Sequence, residues 1–132
     1  MIRFACRLML GVLVVALFTA CEREDVASVE IAFEEPVAGE VVEDASDVHI
    51  HVIFTATSGD LHDIEVKLHP DGDVDDMIID FDGHEHVESY DFVEDRDLSS
   101  YPSGTMFHLE AEACLDHDCE EVVREDIEFS IP

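Results

Sequence analysis

The chain has no tryptophan and only two tyrosines among 132 residues, so neither a tryptophan-packed core nor the aromatic-lined cleft of a sugar hydrolase can be built from it. Basic residues are nearly as scarce, with six Lys and Arg against 34 Asp and Glu and a formal net charge of −28. A surface of that sign repels nucleic acid and anionic headgroups and excludes both as charge-driven partners. No window sustains the three-and-four spacing of an amphipathic helix. Also absent are a G-x-S-x-G elbow, a glycine-rich phosphate loop and a readable cysteine–histidine nucleophile pair, while carboxylates are so abundant that two together carry no information. The chain is therefore expected not to be an enzyme. Its one long apolar run, Leu8 to Phe18, is too short to span a bilayer comfortably and lacks a basic stop-transfer flank.

That run reads as an export signal. Arg3 and Arg7 give it a positive start, and it closes on Leu17-Phe18-Thr19-Ala20-Cys21, which resembles a bacterial lipobox; Phe18 stands where that pattern prefers a smaller aliphatic residue. The resemblance implies a lipoprotein signal peptide over residues 1–20 and lipidation of Cys21 at the new N-terminus. Ordinary cleavage after Ala20 and an uncleaved anchor are the alternatives. Residues 21–28 then form the lipidated cysteine and a charged tether, and residues 29–132 one domain with one core. The signal removes two of the six basic residues and no acid, so four face 34 acidic side chains and −28 becomes −30. Such a surface is solvated and aggregation-resistant, suited to saline surroundings, and it leaves the lipid as the route to the membrane.

The four cysteines sort by position. Cys6 leaves with the signal and Cys21 takes the lipid. Cys114 and Cys119 remain as a pair in an oxidising compartment, where a disulfide across the mouth of a short hairpin is expected. Four residues separate them, not the two of a thioredoxin-like motif, which disfavours redox catalysis; a metal site on both thiolates is the remaining alternative.

From Val29 onward the chain is written in period two. Val29, Ile31 and Phe33 define a first strand ended by Pro36, and Gly39 allows a turn into Val41-Val42. Val48, Ile50, Val52, Phe54 and Ala56 face one way along a second strand while His49, His51, Ile53 and Thr55 face the other. Ile64, Val66 and Leu68 mark a third strand, Met77, Ile79 and Phe81 a fourth broken at Asp82-Gly83, and a fifth lies within Val87 to Val93. Phe107, Leu109, Ala111 and Ala113 mark a sixth, and Ile127, Phe129 and Ile131 the last. Strands with one apolar face must bury it against another sheet, so about seven of them predict an all-β antiparallel sandwich.

The segments Ile31 to Val41 (IAFEEPVAGEV) and Gly104 to Asp116 (GTMFHLEAEACLD) resemble the opening and closing strands of small immunoglobulin-like modules of bacterial surface lipoproteins, some of which carry a histidine-rich middle as His84-Glu85-His86 does here. Antibody hallmarks are missing: no tryptophan is present, and no cysteine on the second strand can bridge to Cys114. The resemblance implies an immunoglobulin-like β-sandwich acting as a recognition or scaffold domain.

Eight histidines invite a metal reading. His49 and His51 lie two apart on one strand, so their rings project from one face about 7 Å apart, and His84 and His86 repeat the spacing. Were the fold to set these strands side by side, His49, His51, His84 and His86 would form a zinc or copper site; otherwise they are solvated side chains among carboxylates. The loop Asp71-Gly72-Asp73-Val74-Asp75-Asp76 superficially resembles a calcium loop but has Asp76 where the sharp turn needs glycine, and it lacks flanking helices. The expectation is a lipid-anchored, non-enzymatic envelope protein, periplasmic or surface-exposed. Its acidic domain would bind a protein or other envelope component, or serve structurally, with no resident cofactor; the alternative is a periplasmic metal-binding lipoprotein.

Overall fold

The alternating segments become seven strands in the computed structural model, which describes residues 27–132. The signal, Cys21 and most of the tether lie outside the described residues. In chain order the strands are β1 (Val29–Glu35), β2 (Val48–Ala56), β3 (Leu61–Pro70), β4 (Ile79–Val87), β5 (Ser89–Arg96), β6 (Met106–Cys114) and β7 (Val122–Ser130). Two antiparallel sheets result, ordered β1-β2-β5 and β4-β3-β6-β7. Because β2 pairs with β5 in one sheet and β3 with β6 in the other, the sheets are interlocked by the chain crossing between them. This is the expected all-β antiparallel sandwich of seven strands. It differs from the antibody constant arrangement in that β4 lies beside β3 and not beside β5.

The inward rows form the core. Val48, Ile50, Val52 and Phe54 of β2 and Ile64, Val66 and Leu68 of β3 are fully buried, in one cluster with Phe107, Leu109 and Phe129 of β6 and β7. Each such side chain contributes about 1.5–3 kcal/mol of burial. Phe107 and Phe129 stack with ring centroids 5.4 Å apart, so an aromatic pair on β6 and β7 supplies much of the core volume in a chain without tryptophan.

Two readings of the strand ends need correction. β4 does not break at Asp82-Gly83 but runs through it to Val87. A side chain at Gly83 would meet the Phe81 ring at 2.7 Å, so this glycine marks a close approach within a strand and not a turn. β7 begins at Val122, before the apolar alternation becomes clear. Val41 makes only an isolated parallel bridge with Ser130, where the 39–42 segment crosses to β7: Gly39 N–H donates to the Glu128 carbonyl and Val42 N–H to that of Ser130. That crossing covers part of a sheet edge.

The outer face of the four-stranded sheet carries most of the relevant chemistry. Antiparallel order puts the start of β3, the end of β4 and the end of β6 side by side. Histidines and cysteines distant in sequence meet there.

Candidate metal centre

His62, the second residue of β3, sits where the ladder with β4 is irregular: Leu61 pairs with Val87, but Asp63 pairs with His84. Glu85 and His86 thus oppose the single residue His62, the arrangement of a β-bulge, which twists a strand and re-aims its side chains. Leu61 and His62 are both buried, so the alternation fails at this point. His62 is 7% exposed, and its Nδ1 has no hydrogen-bond partner. Asp63 Oδ1 lies 3.2 Å from that nitrogen, but the alignment is too poor for a hydrogen bond. An unpaired buried polar atom costs about 1–3 kcal/mol, so this position calls for a further partner.

Three more histidines gather around it. Ring centroids stand 4.1 Å from His62 for His84, 5.1 Å for His86 and 5.0 Å for His117. His62, His84 and His86 each offer a ring nitrogen, and these three lie within 4.8 Å of one another. Nitrogens bound at 2.0–2.1 Å in a tetrahedron sit about 3.4 Å apart, a separation within the 4.8 Å limit of this set, and two of its members, His84 and His86, are exposed. His84 Nδ1 donates to Asp63 Oδ1 at 2.7 Å. This hydrogen bond fixes the tautomer and leaves Nε2 free for a metal, as a carboxylate does behind many histidine ligands. The bond to His84, opposed by desolvation and helped by the nearby histidines, holds the Asp63 carboxyl below its ordinary range.

His117 comes from the 115–121 connection between β6 and β7. The Cys114–Cys119 disulfide closes that segment, with Cα atoms 5.3 Å apart, as expected from the cysteine pattern. A loop this short is worth about 2 kcal/mol on the chain-entropy estimate. It also sets His117 Nδ1 3.0 Å from His62 Nε2. Beside the disulfide runs a groove lined by the carboxylates of Asp63, Glu65, Asp82 and Glu112.

The four histidines singled out by their spacing do not assemble. His84 and His86 join the cluster, but β2 neighbours β1 and β5, so His49 and His51 lie on the outer face of the opposite sheet with the core between. Their rings are 6.3 Å apart, close to the spacing expected of i, i+2 strand residues. His49 Nδ1 donates to Asp95 Oδ1 at 2.6 Å, and among the described residues no third ligand joins this pair. His62 and His117 carry no i, i+2 signal. The pattern that could have pointed to them is adjacency: His62-Asp63 opening a strand, and Asp116-His117-Asp118 enclosed by the two cysteines.

The other buried histidine makes an instructive contrast. His69 is 5% exposed, but its Nδ1 lies 3.0 Å from the Pro70 carbonyl and its Nε2 3.3 Å from Glu110, so both nitrogens face acceptors. The aspartate loop is likewise satisfied within the fold. Asp73 accepts from the Asp76 N–H, Asp76 from the Tyr101 hydroxyl, and Asp71 contacts His108. Burial, with help from Asp76, pushes the Tyr101 phenol up to about 12. Comparison of the chain with family models and with curated proteins finds no match to either.

Proposed function

We propose that this chain is a lipid-anchored protein of the bacterial envelope whose acidic immunoglobulin-like domain binds a transition-metal ion, zinc or copper, and performs no catalysis. The ligands are His62, His84 and His86, with His117 at their side and Asp63 orienting His84. The observation that carries this reading is the nine-tenths-buried imidazole of His62, unpartnered at Nδ1 and ringed by three other imidazoles. A pocket for water or an organic ligand would not need four nitrogen donors. Imidazole prefers zinc and copper to calcium, which takes oxygen ligands. The surrounding carboxylates raise the local cation concentration and favour capture of a dilute ion.

The test is calorimetric titration of the mature protein with zinc and calcium separately, at neutral and mildly acidic pH. Zinc is expected to bind with unit stoichiometry and to be lost on acidification, because protons compete for the imidazole lone pairs. His84→Ala/His86→Ala should abolish that binding. Equal affinity for the two ions, or zinc affinity indifferent to the double substitution, would sink the metal reading and leave a solvated histidine face on a binding or structural module.

A further inference from the structure

His62 belongs to two ligand sets at once. One is the imidazole set described above, and the other is His62, Asp63, Cys114 and Cys119, whose donor atoms also lie within 4.8 Å of one another. With the disulfide intact the two sulfurs are bonded to each other and cannot act as thiolates. Asp63 Oδ2 is nevertheless 3.1 Å from Cys119 Sγ, and His62 Nδ1 lies 3.2 Å from the other oxygen of the same carboxylate. The Asp63 carboxylate thus touches the His62 imidazole through one oxygen and Cys119 through the other.

We infer that reduction of Cys114–Cys119 converts this end of the sheet into a second metal site for zinc or another thiophilic ion, which shares His62 with the histidine site and replaces it. Its ligands are the two cysteine thiolates, the His62 imidazole and the Asp63 carboxylate. This rests on the metal reading above in that His62 serves both sites, but the other three ligands are distinct. The reductant is a dithiol. One of its thiolates attacks a cysteine sulfur, its second thiolate resolves the mixed disulfide, and the cysteines receive two electrons and two protons while the dithiol leaves as its own disulfide. Metal binding then releases the two thiol protons to solvent. Four such donors match the tetrahedral preference of zinc, and the thiolates make the set softer than three imidazoles. A single ion cannot draw His62 into both sets, so oxidised and reduced protein hold it differently. Reduction also frees the segment that holds His117 against His62, which weakens the histidine site as the thiolate site forms.

The experiment uses the mature protein, purified without a tag in detergent, in two forms: as isolated, and reduced under anaerobic conditions with the reductant removed. Each is titrated with zinc, and with cobalt as a spectroscopic stand-in. Reduced protein should bind zinc at least about tenfold more tightly than oxidised protein. With cobalt it should show a sulfur-to-metal charge-transfer band that the oxidised form lacks. The band should survive His84→Ala/His86→Ala, which removes only the histidine site, and disappear in Cys114→Ser/Cys119→Ser. It should be strongly diminished in His62→Ala. Oxidised protein that binds zinc, followed by a reduced form with no tighter binding and no band, overturns the second site and leaves the first. Oxidised protein that binds nothing, followed by a reduced form with the full band, overturns the first and leaves the second. A band untouched by His62→Ala also overturns the inference, because the thiolates then hold cobalt without the folded site, as they would in an unfolded chain.

Discussion

The Nδ1 of His117 stands 3.0 Å from the Nε2 of His62, two side chains 55 residues apart in sequence. One ring must donate and the other accept at that distance, and a neutral His62 that donates through Nε2–H keeps its Nδ1 lone pair for a metal. His62 is held at the start of β3 opposite the bulge in β4, whereas His117 is held only by a loop that the disulfide closes. A hierarchy of effects in the oxidised protein follows from that difference. His62→Ala should abolish zinc binding, while His117→Ala and Cys114→Ser/Cys119→Ser should each weaken it by roughly 10–100-fold, the range for groups that support a site without dominating it. Calorimetry on the three variants checks the order. Equal losses for His62→Ala and His117→Ala would make His117 a full ligand.

β2 is legible in the sequence because its alternation is uninterrupted, and burial alternates residue by residue along its whole length. The same alternation on β4 can be followed only to Phe81, since glycine after aspartate is an ordinary turn signal, and only the ring of Phe81 folded over Gly83 reveals a strand. His49-x-His51 and His84-x-His86 are equivalent in sequence. What separates them is that β4 lies against β3 while β2 lies in the other sheet, a non-local fact that no local spacing contains. Half of the candidate site is thus visible as a motif. The other half, His62 and His117, depends on a bulge and on cross-strand order, neither of which leaves a periodic trace.

Phe81 covers Gly83 and packs on Tyr90 and Phe92, with ring centroids 6.0 and 5.0 Å away, so it links β4 to β5 across the sheets. A methyl group at position 83 would sit 2.7 Å from the ring edge, and those neighbours limit how far the ring can retreat. Gly83→Ala should therefore destabilise the domain by about 1–3 kcal/mol, the usual cost of overpacking. In the Phe81→Ala background the same substitution should cost far less, and denaturant titration of the double-mutant cycle measures the coupling. Additive losses would show that the ring does not constrain Gly83.

The hydrogen bond from His49 to Asp95 raises the imidazole above its ordinary value of 6.5, opposed by desolvation and helped by the charges of Asp95, Glu35 and Asp47. These groups face it from β5, from β1 and from its own approach to β2. A raised folded value means that the stabilisation is fully present below about pH 6.5 and fades as pH rises through the folded value. The pair is 42% and 66% exposed, so solvent screening keeps its worth under about 1 kcal/mol. His49→Gln should lower the melting temperature at pH 5.5 and leave it unchanged at pH 9. A loss of equal size at both values would assign His49 a packing role instead of a charged one.

The outer face of the four-stranded sheet sets like charges directly opposite one another: Glu65 against both Asp82 and Glu112, and Glu110 against Asp126. Lys67 and Arg124 offset part of this through Glu65 and Glu112, which leaves Glu110 and Asp126 without a Lys or Arg partner among the described residues. Directly opposed like charges cost about 0.2–1 kcal/mol per pair, and the repulsion reaches about 30 Å at 0.01 M salt but only about 3 Å at 1 M. The melting temperature should therefore climb with sodium chloride. Asp126→Lys turns one repulsive pair into an attractive one on an exposed strand, so it should raise the melting temperature at low salt and flatten the salt response. A salt-independent melting temperature in the wild type would mean that bound cations already neutralise the face, and dialysis against a chelator should then expose the missing dependence.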